Sequence, residues 1–392
     1  MKTILNNIKG DKTIWAVVLL LSVFSILAVY SSTGTLAYKY QSGNTEYYLL
    51  KHLGILILGF VLMYLAHMVK YTYYARISQL ALFISIPMLA YTLFFGTNLN
   101  EASRWYTLPL INITFQPSDF AKLALIMYVA RLLAKKQNEI EDLRKGFIAI
   151  MLPVVLITAL ILPANFSTAA LIFTTCLVLM FIGRVKLKYL TALVGIGIAG
   201  FALLIVIAVN SPKLSGRFGT WQNRIENFTS GDSEANFQVE QAKIAIATGG
   251  ITGKMPGNST QKNFLPHPYS DFIYAIIIEE YGLIGGIIVV LLYLTLFYRS
   301  VKIVIKSPRN FAAFLTFGVS FSLIFQAMAN MMVAVNLLPV TGQTLPLISM
   351  GGTSIWFTSI SIGIILSVSR EIEELQQKES EQKTQNTAHA TV

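Results

Sequence analysis

The sequence predicts an all-α polytopic membrane protein of about ten transmembrane helices, with both termini cytoplasmic and one long extracytoplasmic loop between spans seven and eight. Three observations carry this prediction. Of the 392 residues, 54% are hydrophobic and 12% charged, with a mean hydropathy of +0.61; a soluble domain carries about 25% charged residues. The apolar residues gather into long runs, not the alternating pattern of a β-barrel. The basic residues lie mostly between alternate runs. Composition thus excludes an ordinary cytosolic enzyme, a coiled coil and a disordered chain. The single cysteine, Cys176, excludes an internal disulfide and a Cys-based metal site.

A span needs about 20 apolar residues to cross about 30 Å of hydrocarbon. The runs are 14–30, 51–69, 78–96, 117–134, 147–164, 168–183, 189–209, 272–298, 310–335 and 347–369. The first is too long, and lacks the small-residue site, for a removable signal peptide. Only Asn165, Phe166 and Ser167 part the fifth run from the sixth, which reads as a tight helical hairpin. With the termini inside, twenty of the 30 Lys and Arg residues fall in cytoplasmic segments and nine outside, six of those in the long loop 210–271. Long loops count little in the positive-inside rule, so the orientation is well determined. The net charge of +11 is therefore a topology signal and does not point to nucleic acid. Residues 1–370 read as one membrane domain. Residues 371–392, rich in Glu, Gln, Lys and Thr, read as a disordered cytoplasmic tail.

Charges in or at the edge of apolar spans are costly and become functional candidates. Asp119 and Lys122, three apart behind Pro117, fall on one helix face as an ion pair that is either structural or a held cation for an anionic headgroup. Arg104-Trp105 lies just upstream. In the long loop, Arg217, Trp221, Arg224 and Phe228 fall at the spacing of an interfacial helix. Residues 235–247 read as a second short helix, stopped by Gly249-Gly250. The stretch 252–263, small residues around Lys254 and Lys262, could let amides and ammonium groups approach phosphate but lacks P-loop spacing. Before span eight, Ser270 or Asp271 is a natural helix cap; Asp271 is equally a general base facing the outer side. Glu279 lies two turns deeper, placed to pair with a cation or orient the helix. Glu280 points about 100° away from it, into a different environment. Between spans nine and ten, Pro339, Gly342, Pro346, Ser349, Gly351 and Gly352 suggest a re-entrant or broken segment lining a cavity, or close helix packing through small residues.

These motifs, in this order, resemble the SEDS family, of which FtsW and RodA are members, from the first span to about residue 370. The matching residues are Ser103-Arg104-Trp105, Gln116-Pro117-Ser118-Asp119 with Lys122, Asp271-Phe272-Ile273-Tyr274-Ala275 with Glu279-Glu280-Tyr281-Gly282, and Leu338-Pro339 through Thr344-Leu345-Pro346 to Gly351-Gly352. Thr344 is closer to the division branch, FtsW, than to RodA. The resemblance implies a ten-span peptidoglycan glycosyltransferase of the bacterial cytoplasmic membrane at the septum. It would polymerise lipid II together with a class B penicillin-binding protein (an FtsI-like transpeptidase) and other divisome membrane proteins. It implies Asp271 as the essential aspartate, and Arg104, Lys122 and Lys262 as substrate or pyrophosphate contacts. Asp119, Glu279, Ser349, Gly351 and Gly352 would be supporting residues. No cofactor is called for beyond a divalent cation such as Mg2+ that could offset the pyrophosphate charge. The chain departs from the family pattern at Asp119 (usually Glu), His267 (often Glu), Met350 (often Tyr), Thr341 (Lys in some division members) and Leu162-Pro163-Ala164-Asn165, which lacks a common acidic residue. The rival readings are an elongation polymerase like RodA, a lipid II flippase or other transporter, and a scaffold without chemistry.

Overall fold

The computed structural model describes residues 9–95, 97–99, 102–108, 113–210 and 237–390. The helices are α1 (Lys12–Ser32), the short α2 (Gly34–Tyr40), α3 (Thr45–Met68), α4 (Tyr71–Phe95), α5 (Pro117–Lys135), α6 (Ala149–Ile161, entered through a π turn, Leu143–Ile148), α7 (Phe166–Ile182), α8 (Leu187–Asn210), α9 (Phe237–Gly249), α10 (Ile273–Lys306), α11 (Asn310–Ala334) and α12 (Thr353–Ala390). Seven of these, with the π turn counted into α6, are long and apolar enough to cross a membrane; Phe166–Ile182 and Leu187–Gly200 are apolar but shorter. Helix α5 carries Asp119, Lys122, Arg131 and Lys135 within nineteen residues. The protein is an integral membrane protein, predominantly helical.

Local signals set the helix starts. Asp11 caps α1 by accepting from Thr13 N (2.9 Å) and Ile14 N (3.3 Å). Asn44 caps α3 through Tyr47 N, and Asn165 caps α7 through Thr168 N. Pro117 occupies the first turn of α5, where a missing N–H costs nothing. Gly363 of α12 lies so close to Met63 O of α3 that a Cβ would collide with it, the close approach that small residues permit between membrane helices. The short helix expected at 235–247 is α9, ended by Gly249 and by Gly250 at φ +55.

Residues 9–11 meet α10 and α12 at one end of the bundle. Arg299 Nη2 pairs with Asp11 at 2.6 Å, and Lys9 with Glu374 at 3.1 Å. Asp271 lies at the other end: Met350 N bonds Tyr269 O just before α12 begins at Thr353, and Glu374 stands 21 residues along that helix (374 − 353), roughly 30 Å at 1.5 Å per residue.

Three expectations need correction. The fold is not wholly α: Thr97–Leu99 (β1), Ala102–Leu108 (β2) and Ile113–Phe115 (β3), between α4 and α5, form an antiparallel sheet in the order β1-β2-β3. Its Trp, Tyr, Thr, Ile and Phe residues favour extended backbone. The tail is not disordered from 371, because α12 continues to Ala390. Glu, Gln and Lys are good helix formers, and an existing helix needs no new nucleus. The final span starts at Thr353, because 335–352 is non-helical. The proposed interfacial helix of Arg217, Trp221, Arg224 and Phe228 lies outside the described residues.

Candidate functional site

Helix α10 begins at Ile273, and its cap position is Phe272, with no side-chain cap bond. Asp271 therefore does not serve as the cap. The three residues before Phe272 are held by successive carbonyls. Tyr269 O accepts from Met350 N (2.9 Å), Ser270 O from Ser349 Oγ (2.6 Å) and Asp271 O from Asn330 Nδ2 (2.8 Å). Ser270 Oγ donates to Asp271 Oδ1 at 2.8 Å. Burial is the main reason the Tyr269 phenol titrates above its ordinary value, and the Asp271 charge adds to it.

Two of the three donors come from the non-helical stretch between α11 and α12, much of it buried: Leu345, Ile348 and Ser349 are each no more than 1% exposed. Irregular backbone survives at such depth only when its polar groups are satisfied from within the protein. Gln343 O accepts from Asn330 Nδ2 (2.7 Å), Thr344 O from Gln326 Nε2 (2.9 Å), Pro346 O from the Tyr293 hydroxyl, and Ile348 O from Ser25 Oγ (2.8 Å). Ser349 Oγ also receives Leu345 N at 2.8 Å. Gly352 takes φ +56 just before α12. The broken segment expected here is present, and Ser349 joins it to the Asp271 turn.

Gln326 and Asn330, four apart on one face of α11, connect this segment to α5. Lys122 Nζ donates to Gln326 Oε1 at 2.7 Å. No ion pair within 4.0 Å joins Lys122 to Asp119 among the described residues, so the expected pair is replaced by an amide contact. The two side chains instead border a narrow cavity of about 10 Å³ with Ser322, Ser354, Thr358 and Ser361. That is at the limit for one water. Asp119 is 6% exposed, and its Oδ2 has no hydrogen-bond partner there.

Glu279 and Glu280 organise the loop 252–263. Glu279, fully buried, accepts from Lys254 Nζ (2.7 Å), Ser259 Oγ (2.5 Å), Thr260 N (3.1 Å), Thr260 Oγ1 (2.8 Å) and Gln261 N (3.2 Å). Glu280 accepts from Ser31 Oγ of α1 and from Ser259 N. The two carboxylates therefore share this loop, against expectation. The loop winds across the end of the helix segment and meets both faces. Gly282, at φ +69 and ψ −174, breaks α10 immediately afterwards, and Leu283 N donates to Gly250 O. Only glycine takes this conformation readily, and a Cβ there would fall onto Ile251 O. Lys262 Nζ bonds Gly257 O (2.6 Å) and Ser31 Oγ (3.4 Å), which groups it with Glu280. The backbone of Arg104 sits in β2 between Ser103 and Trp105, where the register with β1 shifts; its side chain lies outside the described residues.

Sequence reasoning missed Gln326 and Asn330. The available signal was a pair of amides at i, i+4 in an apolar span. Among the described residues no group of three or more His, Cys, Asp or Glu is arranged to hold a metal ion, so no ligand set is assigned.

Fold and site together define a polytopic helical membrane protein whose polar groups converge where a non-helical segment meets the start of a broken helix. The family described as "Cell cycle protein", grouping FtsW, RodA and SpoVE, matches residues 11–374, and the chain belongs to it, the SEDS family. Stage V sporulation protein E of Bacillus subtilis is 30% identical over 366 residues, covering 92% of this chain and 97% of that protein. A probable peptidoglycan glycosyltransferase FtsW of Geobacter sp. (strain M18) is 31% identical over 366 residues, covering 92% and 96%. A chain from a peptidoglycan synthase complex that coordinates polymerization and crosslinking shares the fold, with a TM-score of 0.68 at 22% identity over 93% of this chain and 98% of that one.

Proposed function

We propose that this chain is a peptidoglycan glycosyltransferase with ten spans, polymerising lipid II at the outer face of the bacterial cytoplasmic membrane beside a class B penicillin-binding protein. The observation that carries the reading is the Tyr269–Asp271 turn. Its three carbonyls are held by buried or half-buried donors, which holds the Asp271 backbone in place outside the helix cap. Family membership and the activity in the Geobacter relative's name support the same reaction.

In the step, the Asp271 carboxylate takes the proton of the acceptor sugar's 4-hydroxyl. That oxygen forms the new bond to C1 of the donor, with inversion. The C1–O bond to the pyrophosphate breaks, and undecaprenyl pyrophosphate leaves with the electron pair. Lys122, Lys262 and Arg104 are the cations assigned to the developing charge. A positioned base contributes about 10²–10⁴-fold. Purified chain with its partner, given lipid II and scored for glycan strands on gels, tests this: Asp271→Asn should lose about that factor, and near-normal polymer would overturn it.

The relatives include a sporulation protein and a division-type FtsW at nearly equal identity. Thr344 favours the division branch. Depletion that yields filaments with unsplit septa supports a septal role; rounding of cells supports elongation instead.

A further inference from the structure

We infer that His52, acting through Ser25, is a positioning residue for Asp271; this rests on the reading of Asp271 as the base. His52 of α3 is fully buried and faces Ser25 of α1, also fully buried. Ser25 Oγ stands 2.7 Å from His52 Nε2 and 2.8 Å from Ile348 O. A hydroxyl has one proton, and a carbonyl can only accept. The Ser25 proton therefore lies on Ile348 O, and Nε2 brings its own hydrogen to Ser25 Oγ. His52 Nδ1 has no hydrogen-bond partner among the described residues, so nothing competes for the ring proton on Nε2. The imidazole thus sets the direction in which the Ser25 hydroxyl points.

That direction matters because of the two residues after Ile348. Ser349 gives its hydroxyl to Ser270 O, and Met350 N goes to Tyr269 O. A continuous path of two side-chain bonds and one peptide unit leads from the imidazole to the segment that grips the Asp271 turn. Loss of the His52 donor frees the Ser25 hydroxyl to turn, releases Ile348 O and lets the segment shift. A displacement near 1 Å at a reacting group costs about 10²-fold in rate. A histidine that only filled space would be replaceable by an apolar side chain of similar volume, and its loss would follow stability.

The test measures initial rates of glycan formation against lipid II concentration, with the class B partner present, for wild type, His52→Leu, His52→Gln, Ser25→Ala and Asp271→Asn, with a melting temperature for each. His52→Leu and Ser25→Ala should lose about 10–100-fold in kcat while KM stays within about twofold. His52→Gln, whose Nε2 can donate to Ser25, should return to within about threefold of wild type. Unchanged kcat in Ser25→Ala overturns the inference, including the case where His52→Leu fails to fold. So does a loss in His52→Gln as large as in His52→Leu, or losses that only track melting temperature. If Asp271→Asn polymerises normally, the base assignment itself falls. If Asp271→Asn is inactive while Ser25→Ala and His52→Leu are normal, only the positioning role falls.

Discussion

Removal of the Glu279 carboxylate should open the loop 252–263 without unfolding the bundle. Glu279 is fully buried, and four donor groups besides Lys254 converge on it. Lys254 keeps 29% of its side chain exposed, so it can rehydrate. The Thr260 groups are partly exposed and can do the same. Ser259 Oγ and Gln261 N make buried bonds, and each orphaned buried donor costs about 1–3 kcal/mol. Two of them give roughly 2–6 kcal/mol, in line with about 3–5 kcal/mol for removing one partner of a buried pair. At about 1.4 kcal/mol per decade, a middle value near 4 kcal/mol raises the opening equilibrium of the loop about 10³-fold. Hydrogen exchange of the Thr260 and Gln261 amides in Glu279→Ala should accelerate by about 10²–10³, with α11 and α12 unchanged. Lys254→Ala, which removes a half-exposed partner, should change them by less than about tenfold. Unchanged protection at 259–261 in folded Glu279→Ala would refute the assignment of Glu279 as the anchor of this loop.

Gly282→Ala should fail to accumulate or should melt far below wild type, because a Cβ at φ +69 meets Ile251 O and leaves the loop 249–254 no room beside the helix break; expression and thermal unfolding in detergent check it. Asn330→Leu should reduce glycan synthesis about 10–100-fold, since one amide nitrogen serves both Asp271 O and Gln343 O; a rate within twofold of wild type contradicts that role. At the other end of the bundle, Asp142 accepts from Arg144 N and Lys145 N, and these bonds hold its carboxyl below the ordinary range. A depressed folded-state value means its contribution is complete above the unfolded pKa of about 4 and is lost as pH falls through the lower folded value. Carboxyl NMR should place the Asp142 midpoint below that of an unstructured Asp, and Asp142→Ala should remove any pH dependence of the turn at 143–148 in this range.

The elements that sequence reasoning located well are those with local causes. The run 310–335 is the helix Asn310–Ala334, and 117–134 is Pro117–Lys135. Apolar length and a first-turn proline are written in adjacent residues. The run 272–298 falls short of the helix end at Lys306, because Arg299 and Lys302 end the apolar count while their stems still suit a helix leaving the membrane. The run 347–369 overran the start of α12, because Leu347 and Ile348 are apolar for burial among other helices and not for contact with lipid. Hydropathy reports removal from water and is silent on whether the backbone is helical. Gly282 was hidden for the opposite reason: its neighbours are ordinary helix residues, and the break is imposed by the loop 249–254, which packs into it. Ser25, His52 and Ile348 are separated by up to 323 positions, and no periodicity links them.

The polar residues that evaded notice share one cause. A non-helical segment inside an apolar bundle leaves buried or half-buried carbonyls at 343, 344, 346 and 348, and each one left unsatisfied away from water would cost a few kcal/mol. Helices around it therefore supply Asn330, Gln326, Tyr293 and Ser25. Asn330 and Ser349 then also grip the turn that carries Asp271. One amide, Asn330, thus serves both the broken segment and the turn that carries the candidate base. The turn that carries Asp271 is accordingly held by Asn330 of α11 and by Ser349 and Met350 of the broken segment, all remote in sequence from Asp271.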